Sequence, residues 1–102
     1  VIDVPASYAE LTATCMISTA MFRGVRRRWL ERRSYQPAID RAWQAITERV
    51  APNGDVSAVC PGTGKQKTLE DYLNRAPISG RDDRGGSMAL LVATEMAGRP
   101  EA

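Results

Sequence analysis

A chain of 102 residues with a net charge of +2 is one domain at most, and it buries about two-thirds of the surface it exposes when unfolded. With 43% hydrophobic and 25% charged residues it has globular rather than disordered composition, and so small a net charge implies neither a nucleic-acid nor a membrane partner. Histidine is absent, which removes the usual general base, the commonest zinc ligand and the Ser–His and Cys–His nucleophile pairs, so any chemistry runs through carboxylates, Lys, Tyr or Cys.

The first predicted element is a helix over residues 8–22, opened by Ser7 and Glu10 as a capping box and ended by Gly24. Leu11, Cys15 and Phe22 fall on one line and Ala13, Met16 and Ala20 on another, so it is small and apolar nearly all round and belongs inside a layer of other helices. The next stretch, "GVRRRWLERR", is part of a run of six arginines in residues 23–33 around a single Trp29. It reads as a short solvated helix anchored by the tryptophan; the alternative is a footprint for nucleic acid or an acidic partner.

In "SYQPAIDRAWQAITERV", Ile39, Trp43, Ile46 and Val50 recur at helical spacing with Asp40, Arg41, Gln44 and Glu48 between them, an amphipathic outer helix with Pro37 in its first turn. A turn at Pro52-Asn53-Gly54 leads into "DVSAV", a short strand or extended run, so an insertion is expected around residues 53–60. "CPGTGKQKT", residues 60–68, looks like a phosphate-cradling loop, but Val59 stands where its first glycine is required and Gln66 replaces its hydroxyl residue. It reads as a glycine turn. "TLEDYLN" is one or two helical turns with Thr68 and Asp71 as a box-like start. The last helix opens at Gly85-Gly86-Ser87, carries Met88, Leu91, Val92 and Met96, and stops at Gly98 and Pro100. Leu11, Cys15, Met16, Ile39, Trp43, Ile46, Leu91 and Val92 are therefore the expected core. Cys15 and Cys60 lack a CxxC spacing and read as reduced, structural thiols; with no leader or membrane span legible, a cytoplasmic location is expected, without metal or cofactor.

Taken in order, "SYAELTATCMISTAMFRGVRRRWL", "YQPAIDRAWQAI", "NGDVSAVCPGTGKQ" and "DYLNRAPISGRDDRGGSMALLVATEM" resemble the C-terminal part of glycoside hydrolase family 105, the unsaturated rhamnogalacturonyl hydrolases, over residues 1–96. The resemblance implies an all-α fold, the final third of an (α/α)6 barrel of alternating inner and outer helices, and a single partial domain over residues 1–102. It also implies an enzyme that removes the terminal 4,5-unsaturated uronic acid of pectin-derived oligosaccharides. Water adds across the C4–C5 double bond with an aspartate as acid and base. In the family that aspartate, and the histidines and tryptophans of the sugar pocket, lie in the N-terminal two-thirds. No catalytic residue is therefore expected here, and the segment alone is expected to be inactive.

Under the resemblance, the glycine turn lies at the barrel mouth. Thr63, Gly64 and Lys65 are then candidates to offer a hydroxyl, backbone N–H and an ammonium to a sugar carboxylate; the other reading is a turn needed only for chain direction. Asp82, Asp83 and Arg84 are further candidates for contact with an unsaturated uronyl oligosaccharide, although neighbouring carboxylates point apart and serve a helix N-terminus equally well. Nucleic acid and membrane are not expected partners. The all-round apolar first helix predicts self-association or contact with a further part of the barrel through that helix and the last one.

Overall fold

The computed structural model describes residues 3–62 and 64–98; Thr63 lies outside them. Six elements follow in order: α1 (Leu11–Arg26), α2 (Arg32–Thr47), β1 (Val56–Val59), α3 (Leu69–Leu73), β2 (Ile78–Gly80) and α4 (Asp83–Ala97). Helices dominate, as the all-α reading requires, and the two strands form one small antiparallel pair. Helix α1 is the centre of the packing, with α2 and α4 against it and β1 against both α1 and α4. Leu11, Cys15, Ile46, Val56, Val59 and Val92 form the core, with Phe22, Trp43, Val50, Ile78, Met88 and Ala89 packed around it. The expected insertion is real: β1 pairs with β2, which the sequence reading left unassigned. Val56 faces Gly80 and Val59 faces Ile78, so β1 carries one residue more than its partner, and Ala58 takes up the bulge at φ 60°.

Five of the eight expected core residues are fully or almost fully buried: Leu11, Cys15, Ile39, Ile46 and Val92. Trp43 is half-buried at the edge of the core. Met16 and Leu91 are corrections, at 54% and 38% exposed. The buried stripe of α1 runs through Leu11, Cys15, Ser18, Thr19 and Val25, which leaves Met16 and Ile17 on the side that neither α2, α4 nor β1 covers. Ser18 and Thr19 tolerate burial because their hydroxyls donate to the carbonyls of Thr14 (2.5 Å) and Cys15 (2.8 Å), one turn back.

The helix ends also differ from expectation. Glu10, not Ser7, is the N-cap of α1: its backbone is extended and its Oε2 accepts the Ala13 N–H at 2.6 Å. At the other end, Gly24 does not terminate α1 but lies buried inside it. The left-handed residue that reverses the chain is Arg28, φ 61°, whose N–H donates to Val25 O while the Trp29 N–H donates to Gly24 O. That crossed pair of bonds is the Schellman closure, here with arginine at the position glycine usually takes. Gly24 is needed for packing instead: a Cβ there would lie 2.5 Å from Leu30 Cδ1. Leu30 thus anchors the turn, and Trp29, expected as the anchor of a short helix, stands 72% exposed between α1 and α2. Helix α2 begins at Arg32, so Pro37 lies inside it rather than in its first turn.

Helix α3 starts as expected, with Thr68 Oγ1 accepting the Asp71 N–H. Helix α4 starts earlier than the glycine pair suggests, because Asp82 is its N-cap and accepts the Gly85 N–H at 2.7 Å. Gly85 is buried against β1, where a Cβ would come within 2.9 Å of Val56 Cγ2 and 2.8 Å of Val59 Cγ2. No helix among the described residues is long and apolar enough to cross a membrane.

Candidate functional site

The glycine turn after β1 is held by side chains from three directions. From α1, Glu10 Oε1 accepts the Cys60 N–H at 3.0 Å, so the same carboxylate that caps the helix also fixes where the turn begins. From the segment after α3, Arg75 donates Nη1 to Gly62 O and Nη2 to Gly64 O. From the first turn of α4, Arg84 Nη1 donates to Pro61 O at 3.1 Å. Two further bonds close the far side: the Gln66 N–H donates to the Tyr72 hydroxyl at 2.9 Å, and Gln66 Nε2 donates to Gly64 O at 3.0 Å. The Cys60 thiol donates to Gly62 O. Three successive described carbonyls of the turn, those of Pro61, Gly62 and Gly64, thus face guanidinium groups, and the path of the turn is set by its surroundings rather than by glycine freedom alone.

These contacts settle the charge states nearby. Burial pushes the Glu10 carboxyl up, but the N–H groups of Ala13 and Cys60 and the Thr12 hydroxyl together outweigh it and hold the group below the ordinary glutamate value. Tyr8 moves the other way, raised by burial first and then by the Cys60 thiol beside it, so its hydroxyl stays protonated. Burial and then the Glu10 charge push the Cys15 thiol up to about 11, which makes it an inert packing residue. Both cysteines are free.

Of the residues singled out in the sequence, Thr63 lies outside the described residues, and Gly64 and Lys65 lie on the exposed rim of the turn. Lys65 forms no ion pair among the described residues. Asp82 is engaged twice, as the cap of α4 and, through Oδ1, at 3.5 Å from Arg84 Nη2. Asp83 is the first residue of α4 and is exposed. Arg84 is the link between the two candidate groups, since it touches both Asp82 and the turn. The structure adds Tyr72 and Arg75, which the sequence reading did not place here, and gives Glu10, read as a capping residue, a second bond to the turn. Arg75 lies in an irregular segment thirteen residues beyond Gly62, where no periodicity marks a partner.

Chemically the rim offers an ammonium and a partly exposed guanidinium, donors suited to a carboxylate. It offers no facing pair of carboxylates, because Asp82 is committed to its cap and Glu10 to backbone N–H groups. Among the described residues no group of three or more His, Cys, Asp or Glu is placed to hold a metal ion.

Two solved structures share this architecture. One is a possible member of the GH105 family from Salmonella enterica serovar Paratyphi A, 31% identical with a TM-score of 0.80 over 92% of this chain. The other is a possible member of the same family from Klebsiella pneumoniae, 28% identical with a TM-score of 0.80 over 93% of this chain. This chain spans about a quarter, 24%, of the length of each. No curated protein matches it. The model of Glycosyl Hydrolase Family 88 matches residues 1–99, and with that match and the GH105-like fold the chain belongs to this glycoside hydrolase family.

Proposed function

We propose that this chain forms part of the substrate-binding wall of a glycoside hydrolase acting on unsaturated rhamnogalacturonan oligosaccharides, whose terminal 4,5-unsaturated uronic acid is removed by hydration. The observation that carries the reading is the turn at residues 60–66, stapled by Glu10, Arg75 and Arg84 with Lys65 left exposed on its rim. A turn held by these bonds and presenting the Lys65 ammonium, which forms no ion pair among the described residues, is suited to gripping the uronate carboxylate, while the committed carboxylates beside it leave proton transfer to residues beyond these 102. Exposed Met16, Ile17 and Leu90 support contact of α1 and α4 with a further part of the barrel or a second copy. The free thiols of Cys15 and Cys60 support a reducing, cytoplasmic setting.

The test is steady-state kinetics of a complete enzyme carrying this segment. A charge-assisted hydrogen bond contributes about 1.5–3 kcal/mol, so Lys65→Ala raises KM for the unsaturated disaccharide by roughly ten- to a hundredfold with kcat little changed. Unchanged KM would return the turn to a purely structural role.

A further inference from the structure

The α1–α2 turn carries an expensive feature that the packing of the described residues does not use. Trp29 is 72% exposed, and Leu30 rather than Trp29 packs on Gly24. Both residues donate their N–H groups to Gly24 O, at 2.8 and 3.1 Å, and left-handed Arg28 precedes them, so the backbone holds the indole out in solvent in a defined place. The Arg27 guanidinium lies 5.2 Å from the Trp29 ring centroid.

The charge around it is also unspent. Residues 23–33 contain six arginines and one glutamate, whereas the whole chain is only +2, so the rest of the chain is net negative. Arg23 and Arg26 are committed to nearly buried Glu95 on α4, at 2.5 and 3.0 Å. Arg27, Arg28, Arg32 and Arg33 are exposed and form no ion pair among the described residues. Every cation of this patch is arginine, although the chain has lysines at positions 65 and 67. Planar guanidinium forks bind carboxylates bidentately, and an indole face covers the apolar face of a sugar ring.

We propose that the α1–α2 turn is a second glycan site, which binds an acidic polysaccharide chain with one uronate ring on Trp29 and neighbouring carboxylates on Arg28, Arg32 and Arg33. The choice of a uronate polymer rests on the substrate class proposed above. The site is distinct from the glycine turn: Glu10 ties that turn to the start of α1, and sixteen helical residues at about 1.5 Å each put the arginine turn about 24 Å away. Its role is to retain the polymer from which the oligosaccharide substrates derive. Trp29 is the one aromatic within residues 23–33, whereas single-stranded nucleic acid is laid along a series of aromatics.

The test is affinity electrophoresis of the 102-residue chain through polygalacturonate, with dextran and a single-stranded oligonucleotide as comparison ligands. Polygalacturonate is expected to retard the chain, and dextran is not. Trp29→Ala and the triple change Arg28→Gln, Arg32→Gln, Arg33→Gln should each weaken retention by roughly tenfold while circular dichroism remains that of the parent. Dependence of retention on Trp29 separates the two sites: Trp29-dependent retention without binding of the unsaturated disaccharide supports this site and removes only the other, whereas retention lost in Lys65→Ala and kept in Trp29→Ala overturns it. Absent retention, retention unaffected by both variants, or tighter oligonucleotide binding lost in the same variants would overturn it.

Discussion

The two ends of α1 solve opposite problems. At the N-terminal end, side chains hold backbone: Glu10 caps the helix and grips Cys60, while Arg75 and Arg84 take the carbonyls of the glycine turn. At the C-terminal end, backbone holds side chains: the bonds to Gly24 O fix a turn whose indole and Arg28 guanidinium remain in water, with Arg27 over the indole and Arg32 and Arg33 exposed at the start of α2. Most charge at the first end is consumed by structure, with Lys65 on the rim left over, whereas at the second most of it is left over. A charged residue is therefore informative about binding only after its structural duties have been subtracted.

Removing Glu10 should break the comparison most severely. Glu10→Ala removes a helix cap, a contribution of about 1 kcal/mol, and a charge-assisted bond across to Cys60, a further 1.5–3 kcal/mol, for a total loss of about 3 kcal/mol in denaturant unfolding. The turn end should respond less to its own most sensitive change. Gly24→Val forces Leu30 aside and costs about 2 kcal/mol, read as a fall in the unfolding midpoint with unchanged denaturant slope.

Acid sharpens the contrast. The folded Glu10 carboxyl lies below its unfolded value of 4.5, so its stabilisation is present in full above that range and is lost as pH falls through the lowered folded value. Unfolding followed from pH 6 to pH 3 should show that loss in the parent chain, and Glu10→Gln should flatten it. The smallest expected effect is at Trp29: truncation to alanine should change stability by no more than about 0.5 kcal/mol, as for a surface residue without structural duties, and a larger loss would make the indole part of the fold.

The apolar spacing of Ile39 and Ile46, the box at Thr68 and the stripe through Leu11 and Cys15 were legible because local periodicity encodes them. Met16 was misplaced by the same reasoning, since a helix apolar all round does not say which side its neighbours occupy. Gly24 and Gly85 look like helix punctuation in the sequence, yet each is small because another side chain arrives there, Leu30 in one case and Val56 with Val59 in the other. The candidate site was legible in its rim, Gly64, Lys65 and Arg84, but not in its supports. Glu10 and Arg75 act on residues fifty and thirteen positions away, through an irregular chain path that no local pattern reveals.

The central claim is that this segment grips a uronate without transforming it, and the absorbance of the unsaturated uronate measures that most directly. Incubated with the purified 102-residue chain, an unsaturated galacturonyl-rhamnose disaccharide should keep its absorbance at the uncatalysed rate, because positioned acid–base catalysis, worth roughly a hundred- to ten-thousandfold, is missing from the rim. A steady, enzyme-proportional loss of that absorbance would contradict the account and place the proton-transferring group among the residues described above.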